Sequence, residues 1–188
     1  MILCLDIAFS NIGWVVFRNH KPVRDGCIST KKDSSIKLSN DNANRSAYIA
    51  LEIEKICKRY RIQAGMGEIP HGGSQSSTAA RAMGLATASA SATFALLKIP
   101  IEWYDPRDVK IAFCNKPNAT KEEMMERAVE LYNGKMSKTG KGFSYQITKK
   151  VWNKGRFEHI ADACGVYAAG RHNKLVKQFV ERTRRRTK

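Results

Sequence analysis

Acidic side chains are scarce. The 188 residues carry 17 Asp and Glu against 33 Lys and Arg, a formal net charge of +16. That imbalance says nothing about fold, but it predicts a polyanionic partner, with nucleic acid first and an anionic membrane surface second. No run of about 18 apolar residues occurs, so no segment is expected to span a bilayer. The N-terminal stretch has no Lys or Arg ahead of its apolar residues and is interrupted by Asp6, unlike a secretory signal. Cysteines are few: Cys4, Cys27, Cys57, Cys114 and Cys164 are odd in number, scattered, and never in a CxxC pair. That pattern argues against a disulfide framework or a structural zinc, and for a reducing, cytoplasmic compartment. No internal repeat is found. Gly72-Gly73-Ser74 lacks the spacing and the closing Lys-Ser/Thr of a P-loop, which removes nucleotide binding of that kind. What is present suffices for a core. With 43% hydrophobic residues and the length of one domain, a wholly disordered basic chain is excluded.

Residues 2–7 are almost continuously apolar, the pattern of a strand buried on both faces of a sheet, and Asp6 alone breaks it. Residues 13–18 and 26–30 read as two further strands in an antiparallel meander. Ile49, Ile53, Ile56 and Tyr60 recur at helical spacing and predict a helix over 44–60. A weak strand over 63–69 carries Glu68, and a long helix of small residues follows over 74–97. A strand over 99–104 is closed by Asp105-Pro106. Thr120 and Glu123 form a capping box that opens a helix to about residue 132. Residues 134–155 read as a mobile basic loop, and 156–171 return to helical periodicity. The sum is an α/β domain over 1–170 with a basic C-terminal extension over 171–188.

Three acids stand where burial is costly. Asp6 lies mid-strand, Glu68 ends a strand, and Asp162 sits within the apolar stretch HIADACGVYAA. A buried carboxylate costs several kcal/mol unless it is paired or bound to a cation. Carboxylates gathered from adjacent strands and a facing helix would make an oxygen-rich pocket suited to Mg²⁺, with Mn²⁺ tolerated through a neighbouring His. His159 and Asp162 are three apart, so on a helix they share a face. His159 would act as a ligand, or orient or deprotonate an attacking water. Two such ions can activate water and stabilise the leaving oxygen in phosphodiester hydrolysis. Each of these acids taken singly has a structural alternative, a paired core carboxylate; for the His it is a satisfied surface group.

The order of these features resembles the RuvC family of Holliday junction resolvases, within the RNase H-like nuclease superfamily. ILCLDIAFSNIGW is similar to the family's first strand and turn, with Asp6 in the catalytic position. GEIPHGGSQSSTAARAMGLATASA resembles its Glu-bearing strand and small-residue helix, which places the second acid at Glu68. EHIADACGVYAA resembles its last helix and assigns His159 and Asp162. WYDPRDVK and NATKEEM resemble the segment that supplies two DNA-binding lysines, implying Lys110 and Lys121. The resemblance implies an RNase H-like mixed sheet, antiparallel in its first three strands and then parallel, flanked by helices. It also implies metal-dependent cleavage of four-way DNA junctions by a homodimer, leaving a 5′-phosphate and a 3′-hydroxyl.

Departures from the pattern are specific. Asp-Ile-Ala replaces the usual Asp-Pro-Gly, His159 replaces the commoner Asp, and the basic segment before the last helix is long. They suggest a divergent member of phage or viral type, acting in a bacterial or phage-infected cell, and widen the expected substrates to flaps and forks. Residues 135–156 hold seven Lys or Arg and no acid, interleaved with Phe143, Tyr145 and Trp152. Lys138, Lys141, Lys149, Lys150 and Arg156 are expected to contact phosphates, with an aromatic beside an unpaired base. The alternative there is a solvated loop. The helix over 74–97 is a candidate dimer face, although packing on its own sheet explains the same composition. Phe9 is expected in the core. Two rival readings share the basic surface: a non-catalytic nucleic-acid-binding protein, and an RNase H-like enzyme acting on RNA or RNA–DNA hybrid.

Overall fold

The computed structural model describes residues 1–69, 76–139, 142–174 and 176. Three strands open the chain, β1 (Ile2–Asp6), β2 (Asn11–Arg18) and β3 (Lys21–Ser29). Then α1 (Leu38–Tyr60), β4 (Ala64–Glu68), α2 (Ser77–Leu96) and β5 (Ile101–Tyr104) alternate. Two helices follow, α3 (Pro106–Cys114) and α4 (Lys121–Leu131), then three short strands, β6 (Lys135–Thr139), β7 (Gly142–Gln146) and β8 (Trp152–Asn153), and finally α5 (Lys154–Gly170).

The main sheet has the order β3-β2-β1-β4-β5. β1 and β3 flank β2 in antiparallel pairing, whereas β4 pairs parallel with β1 and with β5. This is the expected mixed, RNase H-like arrangement. β1 is central, and its two faces feed two separate cores. Cys4 joins Phe17, Met66 and Phe157 beneath α5, while Leu3 and Leu5 join Ile53 of α1 and Phe94 of α2 on the other face. Burial from both sides is why its sequence alternates so little.

Two elements differ from the sequence reading. Asp105-Pro106 ends β5, but the same pair starts α3: the Asp105 carboxylate accepts the Arg107 amide at 2.9 Å, and Pro106 occupies the first turn. A strand stop and a helix start share that signature. The second difference is the basic segment expected as a loop. It is an antiparallel sheet of order β6-β7-β8. Its strands are short and β6 is Lys-, Ser- and Thr-rich, so the alternation is confined to Phe143, Tyr145 and Ile147 at β7 and is outweighed by the surrounding Gly and Lys; Tyr145, stacked on Phe157 with ring centroids 4.9 Å apart, anchors the strands.

The five cysteines are unpaired. Among the described residues no helix is long and apolar enough to cross a membrane. Phe9 is buried, with the Arg45 guanidinium 4.1 Å from its ring centroid. His71, Gly72-Gly73-Ser74, Lys141 and, in the C-terminal extension, residues 175 and 177–188 lie outside the described residues.

Candidate active site

Parallel pairing of β1 and β4 brings Asp6 and Glu68 into register as direct partners at the C-terminal ends of their strands. Partners in register project to the same face, here the face covered by α5, since Ile2, Cys4, Ala64 and Met66 on that face all pack in the α5 core. On the other side of β1, Asp6 pairs with Gly13 of β2. Gly13 is a close-approach position. A Cβ there would sit 2.0 Å from the His159 carbonyl oxygen and 2.7 Å from the His159 Cβ. The absence of a side chain lets α5 lie directly on β2, and that places His159 Nδ1 2.8 Å from Asp6 Oδ2.

One turn along α5, Asp162 faces the same cluster. Burial and the Asp6 carboxylate push its pKa up to about 7, with His159 and Lys121 opposing. Glu68 is pushed up to about 8 by burial first, then by Asp6 and Asp162, with Lys110 opposing. The hydrogen bond to Asp6 raises the pKa of His159 above the ordinary imidazole value, against the effect of burial. These shifts show that Asp6, Glu68, His159 and Asp162, scattered over the chain, share one electrostatic neighbourhood. Both implied lysines act on the same cluster through charge, Lys110 of α3 on Glu68 and Lys121 at the start of α4 on Asp162.

Glu158 went unnoticed in the sequence. Its carboxylate pairs with Lys121 Nζ at 3.1 Å and lies 3.7 Å from His159 Nε2. Its position next to His159 in EHIAD is the one signal that would have found it. Arg156 is not a free cation: its guanidinium donates to Asn11 Oδ1 at 3.0 Å, which also accepts from the Ser29 hydroxyl at 2.9 Å. Lys138 and Lys149 are exposed. Lys150 is exposed too and sits 3.8 Å above the Trp152 ring centroid. Two further buried acids have structural roles. Asp25 accepts from Trp152 Nε1 at 2.9 Å, and Asp41 accepts the Asp33 amide at 3.0 Å.

Among the described residues no group of three or more His, Cys, Asp or Glu stands as a ready-made metal cage. The chemistry of the donor set nevertheless fits a hard divalent cation. Two carboxylates raised by mutual repulsion and burial are hosts whose charge a cation would balance.

No protein-family model matches the sequence, and no curated protein matches it. Solved structures do. The chain superposes on the Thermus thermophilus RuvC in complex with Holliday junction substrate with a TM-score of 0.66 and 17% identity, over 95% of this chain and 96% of that one. A second Thermus thermophilus RuvC structure matches with a TM-score of 0.64 and 15% identity, over 95% of each chain. The likeness carried by three short motifs thus extends through the tertiary structure: the chain has the fold of the RuvC Holliday junction resolvases.

Proposed function

We propose that the chain is a structure-selective DNA endonuclease that resolves Holliday junctions, and other branched DNA, by divalent-metal-dependent hydrolysis. The observation that carries this reading is the register pairing of Asp6 with Glu68 beneath the helix face bearing His159 and Asp162. A protein that only bound nucleic acid would gain nothing from carboxyl groups crowded and buried so that their charged forms are disfavoured.

Asp6, Glu68 and Asp162 would hold Mg²⁺ or Mn²⁺, with His159 as a ligand or as the group that positions water. The ion would supply positive charge against the scissile phosphate and make water a stronger acid. Asp6 accepts the Nδ1 proton of His159 and so leaves Nε2 as the nitrogen that orients water or takes its proton. Water oxygen bonds to phosphorus, the P–O3′ bond breaks, and the products are a 5′-phosphate and a 3′-hydroxyl. Lys110 and Lys121 would bear the phosphate charge. Exposed Lys138, Lys149 and Lys150 extend the contact, with Lys141 as a further candidate. Arg156 would assist from the first turn of α5, where it bonds to Asn11. The charged surface, with 33 basic residues against 17 acids, suits the DNA backbone.

A homodimer would present two such sites to opposed strands. Gly84, Ala88 and Ala92 form an exposed line of small residues along α2, with nothing within 4 Å of a Cβ at Gly84, and this supports α2 as the contact face.

Four-way junction, flap, linear duplex and RNA–DNA hybrid, each incubated in Mg²⁺ and in Mn²⁺, make the decisive panel. Cleavage of the branched DNAs is expected, with Asp6→Asn abolishing it while junction binding survives. Undiminished cleavage by Asp6→Asn, or preference for the hybrid, would overturn the reading.

A further inference from the structure

Between α4 and α5 the chain builds an element that the carboxylate cluster does not require. β6 and β7 pair with Met136 opposite Tyr145 and Lys138 opposite Phe143, and β7 meets β8 at Tyr145 and Trp152. Opposed residues, and residues two apart on a strand, share a face. Met136, Lys138, Phe143, Tyr145 and Trp152 therefore make one face, and Lys135, Ser137, Ser144, Gln146 and Asn153 lie on the other. The inner part of that face is anchored, Tyr145 on Phe157 and Trp152 on Asp25. Its outer part is not: Met136 is 47% and Phe143 45% exposed.

The register also sets where this outer part lies. Ser144 pairs with Asn153, the N-cap of α5. Phe143 and Lys138 are one step further out, past the start of the helix that bears His159. The segment itself carries charge of one sign, seven Lys or Arg and no acid over residues 135–156, and the acids that meet it, Asp25 at Trp152 and Glu122 at Lys154, lie on its inner side and at the start of α5. An uncovered aromatic among cations, at the catalytic end of the fold, suits nucleic acid whose bases have left the stack. Every base offers a π-face to an aromatic ring, and cations hold the phosphate beside it.

We propose that the β6–β7 hairpin reads the branch point of the DNA: Phe143 stacks on a base left unpaired at the junction, Met136 extends the apolar platform, and Lys138 holds the adjacent phosphate. The inference rests on the branched-DNA reading above. A fully paired duplex offers no such base, so the hairpin contributes selectivity, while hydrolysis belongs to the carboxylates.

The test uses the full chain as wild type, Phe143→Ala, Phe143→Tyr and Lys138→Ala. Each is titrated without divalent metal against a four-way junction carrying 2-aminopurine at the branch and against a linear duplex of the same arms. Cleavage is then timed in Mg²⁺. Phe143→Ala is expected to lose about tenfold in junction affinity, and the 2-aminopurine signal with it, while duplex binding stays unchanged. Phe143→Tyr should retain both. Lys138→Ala should weaken junction and duplex alike and flatten the salt dependence by about one phosphate contact. Phe143 is exposed, so the melting curve of each variant should match wild type. Wild-type junction selectivity in Phe143→Ala, with cleavage intact, would overturn the hairpin proposal and leave the nuclease reading standing. A wild type that cuts no branched DNA would overturn both. Loss of a homodimer in Phe143→Ala, seen by sedimentation, would assign the face to a second copy and overturn the proposal.

Discussion

His159 donates its Nδ1 proton to Asp6 Oδ2 at 2.8 Å, joining residues 153 positions apart in the chain. A carboxylate accepts only from a protonated ring nitrogen, so the contact suits a proton on Nδ1, and in the proposed reaction Nε2 is the nitrogen that meets water. His159→Ala is expected to slow single-turnover junction cleavage by about 10²- to 10⁴-fold. His159→Asp restores an oxygen donor and should recover part of that rate. Equal rates for wild type and His159→Ala would remove His159 from the chemistry.

The close approach at Gly13 makes a sharper structural prediction. A methyl group there would meet the His159 carbonyl at 2.0 Å, and the obstacle is helix backbone, which has no rotamer to yield. Gly13→Ala should therefore lift α5 from β2, lower unfolding stability in urea by about 3 kcal/mol, and cut activity together with it. A variant as stable and active as wild type would show that α5 can slide without loss.

Stability should depend on pH in one direction. Glu68, raised from the ordinary carboxylate value to about 8, and Asp162, raised to about 7, hold protons in the folded chain that the unfolded chain has released. His159 is raised as well, so its contribution is complete below its unfolded pKa and is lost as pH climbs through the folded one. All three effects share a sign. Metal-free protein should lose stability between about pH 4.5 and 8, with a fall in Tm on the order of 5 °C. Glu68→Gln should flatten the profile and raise the Tm at pH 8. Mg²⁺ should stabilise the wild type most at the alkaline end, where the carboxylates are charged. Calorimetric scans with and without Mg²⁺ read both effects; a flat metal-free profile would contradict the repulsion argument.

Lys121 is held by Glu158 at 3.1 Å, and under the proposed function it would exchange that partner for a phosphate. Glu158→Gln removes the competitor. Junction affinity at low salt should rise by about two- to fivefold, the scale of a partly exposed ion pair. Lys121→Ala should lower it. Affinities measured across a salt series test the exchange, and an unchanged Glu158→Gln affinity would argue against it.

Much of the site was legible in the chain itself. Asp6 interrupts an apolar run, Glu68 closes a strand, and HIADACG sets a His and an acid on one helix face; each breaks a local hydrophobic pattern, and such breaks are visible without coordinates. Other parts were not legible, because their meaning lies in what comes near from elsewhere. Gly13 reads as an ordinary strand glycine until α5 lies on it, and Glu158 reads as solvated until Lys121 meets it. Arg156 reads as a cation on the surface, and only the fold shows that its guanidinium also bonds to Asn11. The hairpin was hidden for a related reason, as the alternation of Phe143 and Tyr145 is too short to stand out among Gly and Lys until pairing with β6 and the stacked tyrosine define the strands.

The excess of cations, the poverty of acids and the placing of the few acids in apolar surroundings belong to the sequence, since charge and hydrophobicity are properties of residues wherever they fold. Which acids are neighbours belongs to the tertiary structure. Parallel pairing of β1 with β4 sets Asp6 against Glu68, and the descent of α5 onto Gly13 brings His159 to them. Interactions between charges depend on distance and on lost water, and only the folded chain supplies both.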